Sequence, residues 1–181
     1  MNFVIILILV CLTPLSFEQN EFYYPNSESY SKEITPYYNG QDFTEDIWMD
    51  LYNHIPGHRI GLIYQENVYE LTVQAYNSYL MSFRYWDADG TEHLESTSVN
   101  MELNQWHHWT IVYDAAITET KVYKDKSEVY SATTPLQYYP GRKYLLHHHG
   151  GTSGYEGWFF MHTHRMWNSK FDTTQITQLY D

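Results

Sequence analysis

From Asp46 onward, apolar side chains recur at every second position in one short run after another, a period that admits strands and little else. In residues 46–52, Ile47, Met49 and Leu51 fall on one side, with Asp46, Trp48, Asp50 and Tyr52 on the other, as in a half-buried strand. The stretch 53–58, carrying Pro56-Gly57, ends it. Strands follow at 59–64 and 68–76, the second setting Leu71, Val73 and Ala75 against Glu70, Thr72 and Gln74. Residues 79–86 direct Met81, Phe83 and Tyr85 inward and Ser82 and Arg84 outward. Asp87-Ala88-Asp89-Gly90 then supplies hairpin chemistry before a strand at 92–99. The second half repeats the rhythm at 107–113, 120–124, 128–132, 142–147 and 157–167. A helical signal comes only at 172–181, where Asp172 or Thr173 caps a short turn whose Ile176, Leu179 and Tyr180 share a face. Short strands without intervening helical blocks predict an all-β fold: two packed antiparallel sheets, with the C-terminal helical turn lying on them as a lid.

Composition narrows the function classes. The 181 residues include 19 tyrosines, 8 phenylalanines and 6 tryptophans, more buriable surface than a solvated chain carries, and the length suits one domain. With 22 acidic residues against 10 lysines and arginines, the formal charge is −12, the wrong sign for a nucleic acid or an anionic membrane surface. Residues 3–12 read FVIILILVCL, about half the length a bilayer-spanning helix needs, and fit the apolar region of a secretory leader cut near Ser16. The expected organisation is a signal peptide over 1–17, a polar tail over 18–36 and a β-sandwich domain over 37–181. Removal of the leader takes Cys11, the chain's one cysteine, and leaves no membrane-spanning run and no disulfide. The expectation is a secreted, extracellular protein.

Several stretches resemble a known family. Gln105-Trp106-His107-His108-Trp109-Thr110-Ile111-Val112-Tyr113-Asp114, followed by Thr120-Lys121-Val122-Tyr123-Lys124-Asp125, resembles the central stretch of laminin-G-like, concanavalin-A-like domains. The C-terminal run of Tyr155-Glu156-Gly157-Trp158-Phe159, Arg165-Met166-Trp167-Asn168 and Ile176 with Leu179-Tyr180 is similar to that family's closing pattern. Phe43-Thr44 with Ile47-Trp48 resembles its early strand. The likeness covers about residues 37–181. It implies a jelly-roll sandwich, often extracellular, that binds glycans or proteins and only in some members catalyses. Two departures stand out: His162-Thr163 where the family carries an acidic pair, and Asp125-Lys126 where it carries Asp-Gly.

Glycan binding requires flat aromatic faces with carboxylate or amide groups beside them. Trp86 with Asp87 and Asp89, and Tyr155 with Trp158, have those types, and core or rim packing is the plainer reading of each. Asp87, Asp89 and Glu92 place three carboxylates around one loop, a candidate calcium set that an Asp-Gly hairpin also explains. Of the ten histidines, His147 with His149 and His162 with His164 are spaced i, i+2, which puts each pair on one face of a strand within reach of a transition metal. Protonating all ten would remove most of the negative charge, so self-association in an acidic secretory granule is a further reading. A glycosidase needs two carboxylates across the scissile bond; Asp46-x-Trp48-x-Asp50 comes nearest and lacks a second acidic cluster. The expected function is a non-catalytic glycan- or protein-binding module at the cell surface or in extracellular matrix. The alternative is a structural subunit of an extracellular coat, filament or granule matrix.

Overall fold

The computed structural model describes residues 17–18, 32–34, 38, 40–54, 58–75, 79–139, 143–148 and 157–180. Its strands are β1 (Phe17–Glu18), β2 (Lys32–Ile34), β3 (Phe43–His54), β4 (His58–Gln65), β5 (Tyr69–Ala75), β6 (Tyr79–Trp86), β7 (Glu92–Asn100), β8 (Trp106–Asp114), β9 (Glu119–Lys124), β10 (Ser127–Thr133), β11 (Lys143–His148) and β12 (Gly157–Trp167). One helix follows, α1 (Thr173–Tyr180), and no described helix is long and apolar enough to cross a membrane.

These strands form two antiparallel six-stranded sheets, ordered β1-β12-β3-β8-β9-β10 and β2-β11-β4-β5-β6-β7. The core lies between them. Phe43, Ile47, Met49 and Leu51 of β3 and Trp109 and Ile111 of β8 meet Leu71 and Val73 of β5 and Met81 and Phe83 of β6, all essentially inaccessible. Each such side chain contributes about 1.5–3 kcal/mol by leaving water. The alternation expected in the sequence is present, and the strand limits fall within a residue or two of the expected ones except in β3, which starts at Phe43, three residues before the expected Asp46.

The inward row of β3 carries one acid. Glu45 is wholly buried, and its carboxylate accepts hydrogen bonds from Tyr69 Oη of the facing sheet and from His164 Nε2 of β12, ligating the two layers through a polar link. Burial and the adjacent Glu45 charge push the Tyr69 hydroxyl far above the ordinary tyrosine range.

Three features go beyond the sequence reading. Lys32–Ile34, within the expected tail, is an edge strand on β11, with Ile34 opposite Lys143. Phe17 and Glu18, at the expected junction of leader and tail, pair with His164 and Thr163; the rest of the leader and most of the tail lie outside the described residues. Asp46, Ser82 and Arg84 face away from the core but are buried rather than solvated. Over sheet one the covering element is α1. It starts with Asp172, whose Oδ1 accepts the Gln175 N–H while Gln175 Oε1 accepts the Asp172 N–H, a reciprocal cap. It is seated by Ile176, which packs on Val112, Tyr123 and Phe171.

Candidate functional site

The Asp87 loop is a self-satisfied turn. Asp87 Oδ1 accepts the N–H groups of Asp89 and Thr91, both at 3.0 Å, and Oδ2 accepts from His93 Nε2 at 2.8 Å. The His93 bond, then the Thr91 N–H, hold this carboxyl below its ordinary range. Gly90 closes the turn at φ +76°. Glu92 Oε1 lies 2.7 Å from Arg84 Nε, and Asp89 points into solvent. The proposed calcium set is therefore not assembled: two of its three carboxylates serve neighbours, and no group of three or more metal-binding side chains occurs among the described residues. Trp86 is no open platform either. It is 9% exposed, with the Arg84 guanidinium 4.6 Å over its ring and Tyr64 edge-on at 6.2 Å.

Of the other candidates, Tyr155 and His149 lie outside the described residues, and Trp158 and His147 are placed as backbone positions opposite Asn53 on β3 and Gly61 on β4. His162 and His164 do not share a face. Met161 pairs with Met49 and His164 with Ile47, so β12 carries one more residue than β3 between these rungs, a bulge that leaves His162 exposed while His164 turns in to Glu45.

A different site forms on the outer face of sheet one. β3 is flanked there by β8 and β12, which bring residues distant in sequence alongside Asp46, Trp48 and Asp50. Asp46 is the hub beneath it: its carboxylate accepts from His108 Nε2 at 2.8 Å and from the Arg165 Nε at 3.1 Å, with Arg165 Nη2 completing a forked contact. Arg165 Nη2 also donates to the Leu179 carbonyl near the end of α1. Trp48 packs on His108 at 5.0 Å and on Tyr180 at 5.1 Å between ring centroids. Tyr180 is thereby held against the sheet although it lies at the very end of its helix.

Above this support an open cavity of ≈ 490 Å³ is lined by Trp48, Trp106, His162, Thr163, Arg165, Leu179 and Tyr180. Its volume lies in the range of about 300–1,000 Å³ usual for small-ligand sites. Trp106 is 41% exposed and stands edge-to-face with His162 at 6.4 Å. His162 Nδ1 lies 2.7 Å from Thr163 Oγ1. Beside the cavity, directly opposite Trp106 in the ladder, Asp50 is nine-tenths buried with Oδ1 unpartnered. Burial lifts its carboxyl above the ordinary value against the pull of the Gln105 N–H and His107.

The turn from β9 to β10 adds a cation. Asp125 and Lys126 form a two-residue hairpin connection at φ +48° and +73°, where glycine is at ease and lysine is not. Asp125 is held by His107 Nδ1 at 2.7 Å and the His108 N–H at 2.9 Å, and Lys126 Nζ stands 4.4 Å over the Tyr180 ring.

Sequence reasoning placed Trp48 on the outward row, and left Trp106, Thr163 and Tyr180 unassigned as site residues. What gathers them is the pairing of β3 with β8 and β12, none of them neighbours in the chain.

Comparison with known proteins agrees with this architecture. A family model described as the concanavalin A-like lectin/glucanases superfamily, of laminin G type, matches residues 27–177. No curated protein matches the sequence. The botulinum neurotoxin type G receptor binding domain superposes with a TM-score of 0.66 at 11% identity, over 88% of this chain and 41% of that one. The binding domain of Paraclostridial Mosquitocidal Protein 1 gives 0.63 at 12% identity, over 92% and 42%. Botulinum neurotoxin type C, whose cell entry depends on interaction with two ganglioside molecules, gives 0.58 at 11% identity, over 77% and 35%. The chain thus spans about two fifths of the length of these structures or less, and the likeness is one of fold.

Proposed function

The chain belongs to the concanavalin A-like lectin/glucanases superfamily, and from that premise we propose that it is a secreted, non-catalytic glycan-binding module acting at a cell surface or in extracellular matrix. The observation that carries this reading is the aromatic-walled cavity on sheet one, where Trp106 presents an exposed ring for sugar C–H groups, Trp48 and Tyr180 complete the aromatic wall, and Arg165 and His162 offer polar contacts. The ganglioside dependence of the type C neurotoxin is consistent with it. The apolar run at 3–12 supports export.

The state of the carboxylates supports binding without bond cleavage. Asp46 is spent on His108 and Arg165 with no exposure, and Asp50 is buried beside Trp106, so neither is an accessible acid or base for a glycosidic bond. At two of the four sheet edges, β7 and β10 carry register irregularities, the kind of bulge that discourages strand addition.

The test is a glycan array probed with the full chain and with Trp106→Ala. Retention of saccharides by the former and their loss with the latter is expected. A blank array with folded protein overturns the proposal.

A further inference from the structure

Resting on that glycan-binding reading, we infer that the cavity selects saccharides carrying an anionic group, a carboxylate or a sulfate, over neutral saccharides of the same size. Neutral sugars present hydroxyl groups that are usually held by side-chain acceptors, above all carboxylates and amides. None of the seven lining residues is an aspartate, glutamate, asparagine or glutamine. This runs against the composition of a chain with 22 acids and 10 lysines and arginines. Asp46, beneath the cavity, is withdrawn into its contacts with His108 and Arg165, and Asp50, beside it, into the sheet surface.

What the walls do offer is donors and positive charge. Arg165 uses Nε and Nη2 on Asp46 and the Leu179 carbonyl, and Nη1 makes no bond among the described residues. A guanidinium so clamped loses little freedom when it takes a further acceptor, because its plane is already set. His162 sits exposed at the rim with Nδ1 on Thr163. Lys126 brings a second cationic group, over Tyr180, from a turn position at φ +73°. Lysine there carries backbone strain that glycine or asparagine would avoid, and what the position gains is an ammonium group at the cavity's aromatic wall. Aromatic faces flanked by two cationic side chains and a histidine, with no acid or amide side chain in the lining, match a sugar ring bearing an anion.

The experiment is calorimetric titration of the full chain with size-matched neutral, uronic-acid-bearing and O-sulfated oligosaccharides, at low and at high salt. The acidic ligands are expected to bind about tenfold or more tightly than the neutral one, with the gap narrowing as salt rises. Whether the uronic or the sulfated arm leads identifies the anion. Lys126→Asn, which removes the charge and relieves the turn, and His162→Gln at the exposed rim are expected to narrow the gap several-fold with an unfolding midpoint no lower than the parent's. Equal affinity for neutral and acidic ligands, abolished in both by Trp106→Ala, overturns the anionic selectivity and leaves the glycan site standing. No binding in any arm by folded protein overturns both.

Discussion

Glu45 and Asp46 are consecutive on β3, both wholly buried, and each bonded to a histidine that approaches from another strand, yet they sit on opposite faces of sheet one. Glu45 faces the core and ties Tyr69 of the second sheet to His164 of β12. Asp46 faces the helix and ties His108 of β8 to Arg165 of β12, whose guanidinium holds the end of α1. The inner carboxylate therefore joins layers, and the outer one shapes a binding surface. The same chemistry produces architecture or a site according to what the strand's parity exposes it to.

The largest effect is expected at the inner residue. Glu45→Ala leaves Tyr69 and His164 buried without their shared acceptor, and a loss of about 3–5 kcal/mol in denaturant unfolding is expected. A loss under about 1 kcal/mol would show that the link between sheets is dispensable. Asp46→Asn keeps shape and removes charge, with an expected stability loss of about 1.5–3 kcal/mol. It should also weaken saccharide binding more than Glu45→Gln does, because Arg165 and Tyr180 lose their support. Equal effects of the two on binding would erase the distinction drawn here.

Alkaline pH acts on the buried tyrosines, Tyr69 at the inner link among them. Burial first, then the Glu45 charge, raise the Tyr69 hydroxyl in the folded state, and burial likewise pushes Tyr123 up to about 12. A group that holds its proton more tightly when folded contributes stability in full below its unfolded pKa, about 10 for tyrosine. That contribution is lost as pH rises from there toward the folded value. The expected record is a falling unfolding free energy above pH ~10, with tyrosinate absorbance appearing together with loss of β-sheet dichroism; full tyrosine ionisation in an intact fold would contradict it. The smallest effect belongs to Trp106→Ala at the exposed rim. Its stability should stay within about 0.5 kcal/mol of the parent chain while saccharide binding disappears.

Much of the fold was legible because short-range patterning governs it. The 46–52 alternation, the Asp87–Gly90 turn and the Asp172 cap each depend on a few adjacent residues, and each is present. Glu45 was legible in principle as an acid on the apolar row of β3, but its partners Tyr69 and His164 become neighbours only through the sandwich. His162 and His164 misled because a bulge in β12 cancels the strict period, and nothing in their spacing announces it. Trp86 misled for a related reason. An outward position on a strand suggests an open ring, whereas Arg84 on the same strand folds over it. The cavity depends on three strands and a helix end drawn from the chain's two halves, a juxtaposition local patterning does not encode.

That pairing also governs how the molecule comes into being. Asp46 and Arg165 are separated by 119 residues in sequence, yet β3 lies directly between β8 and β12. During synthesis β3 leaves the ribosome with one flank of its backbone unsatisfied until β12, more than a hundred residues later, has been made. Refolding from denaturant must close the same long loop before that ladder repays its entropy, so slow folding on the scale of β-sandwiches is built into the topology. An interval in which an apolar-striped strand waits for its distant partner is also when the chain is most exposed to wrong pairing, and chaperone dependence should concentrate there.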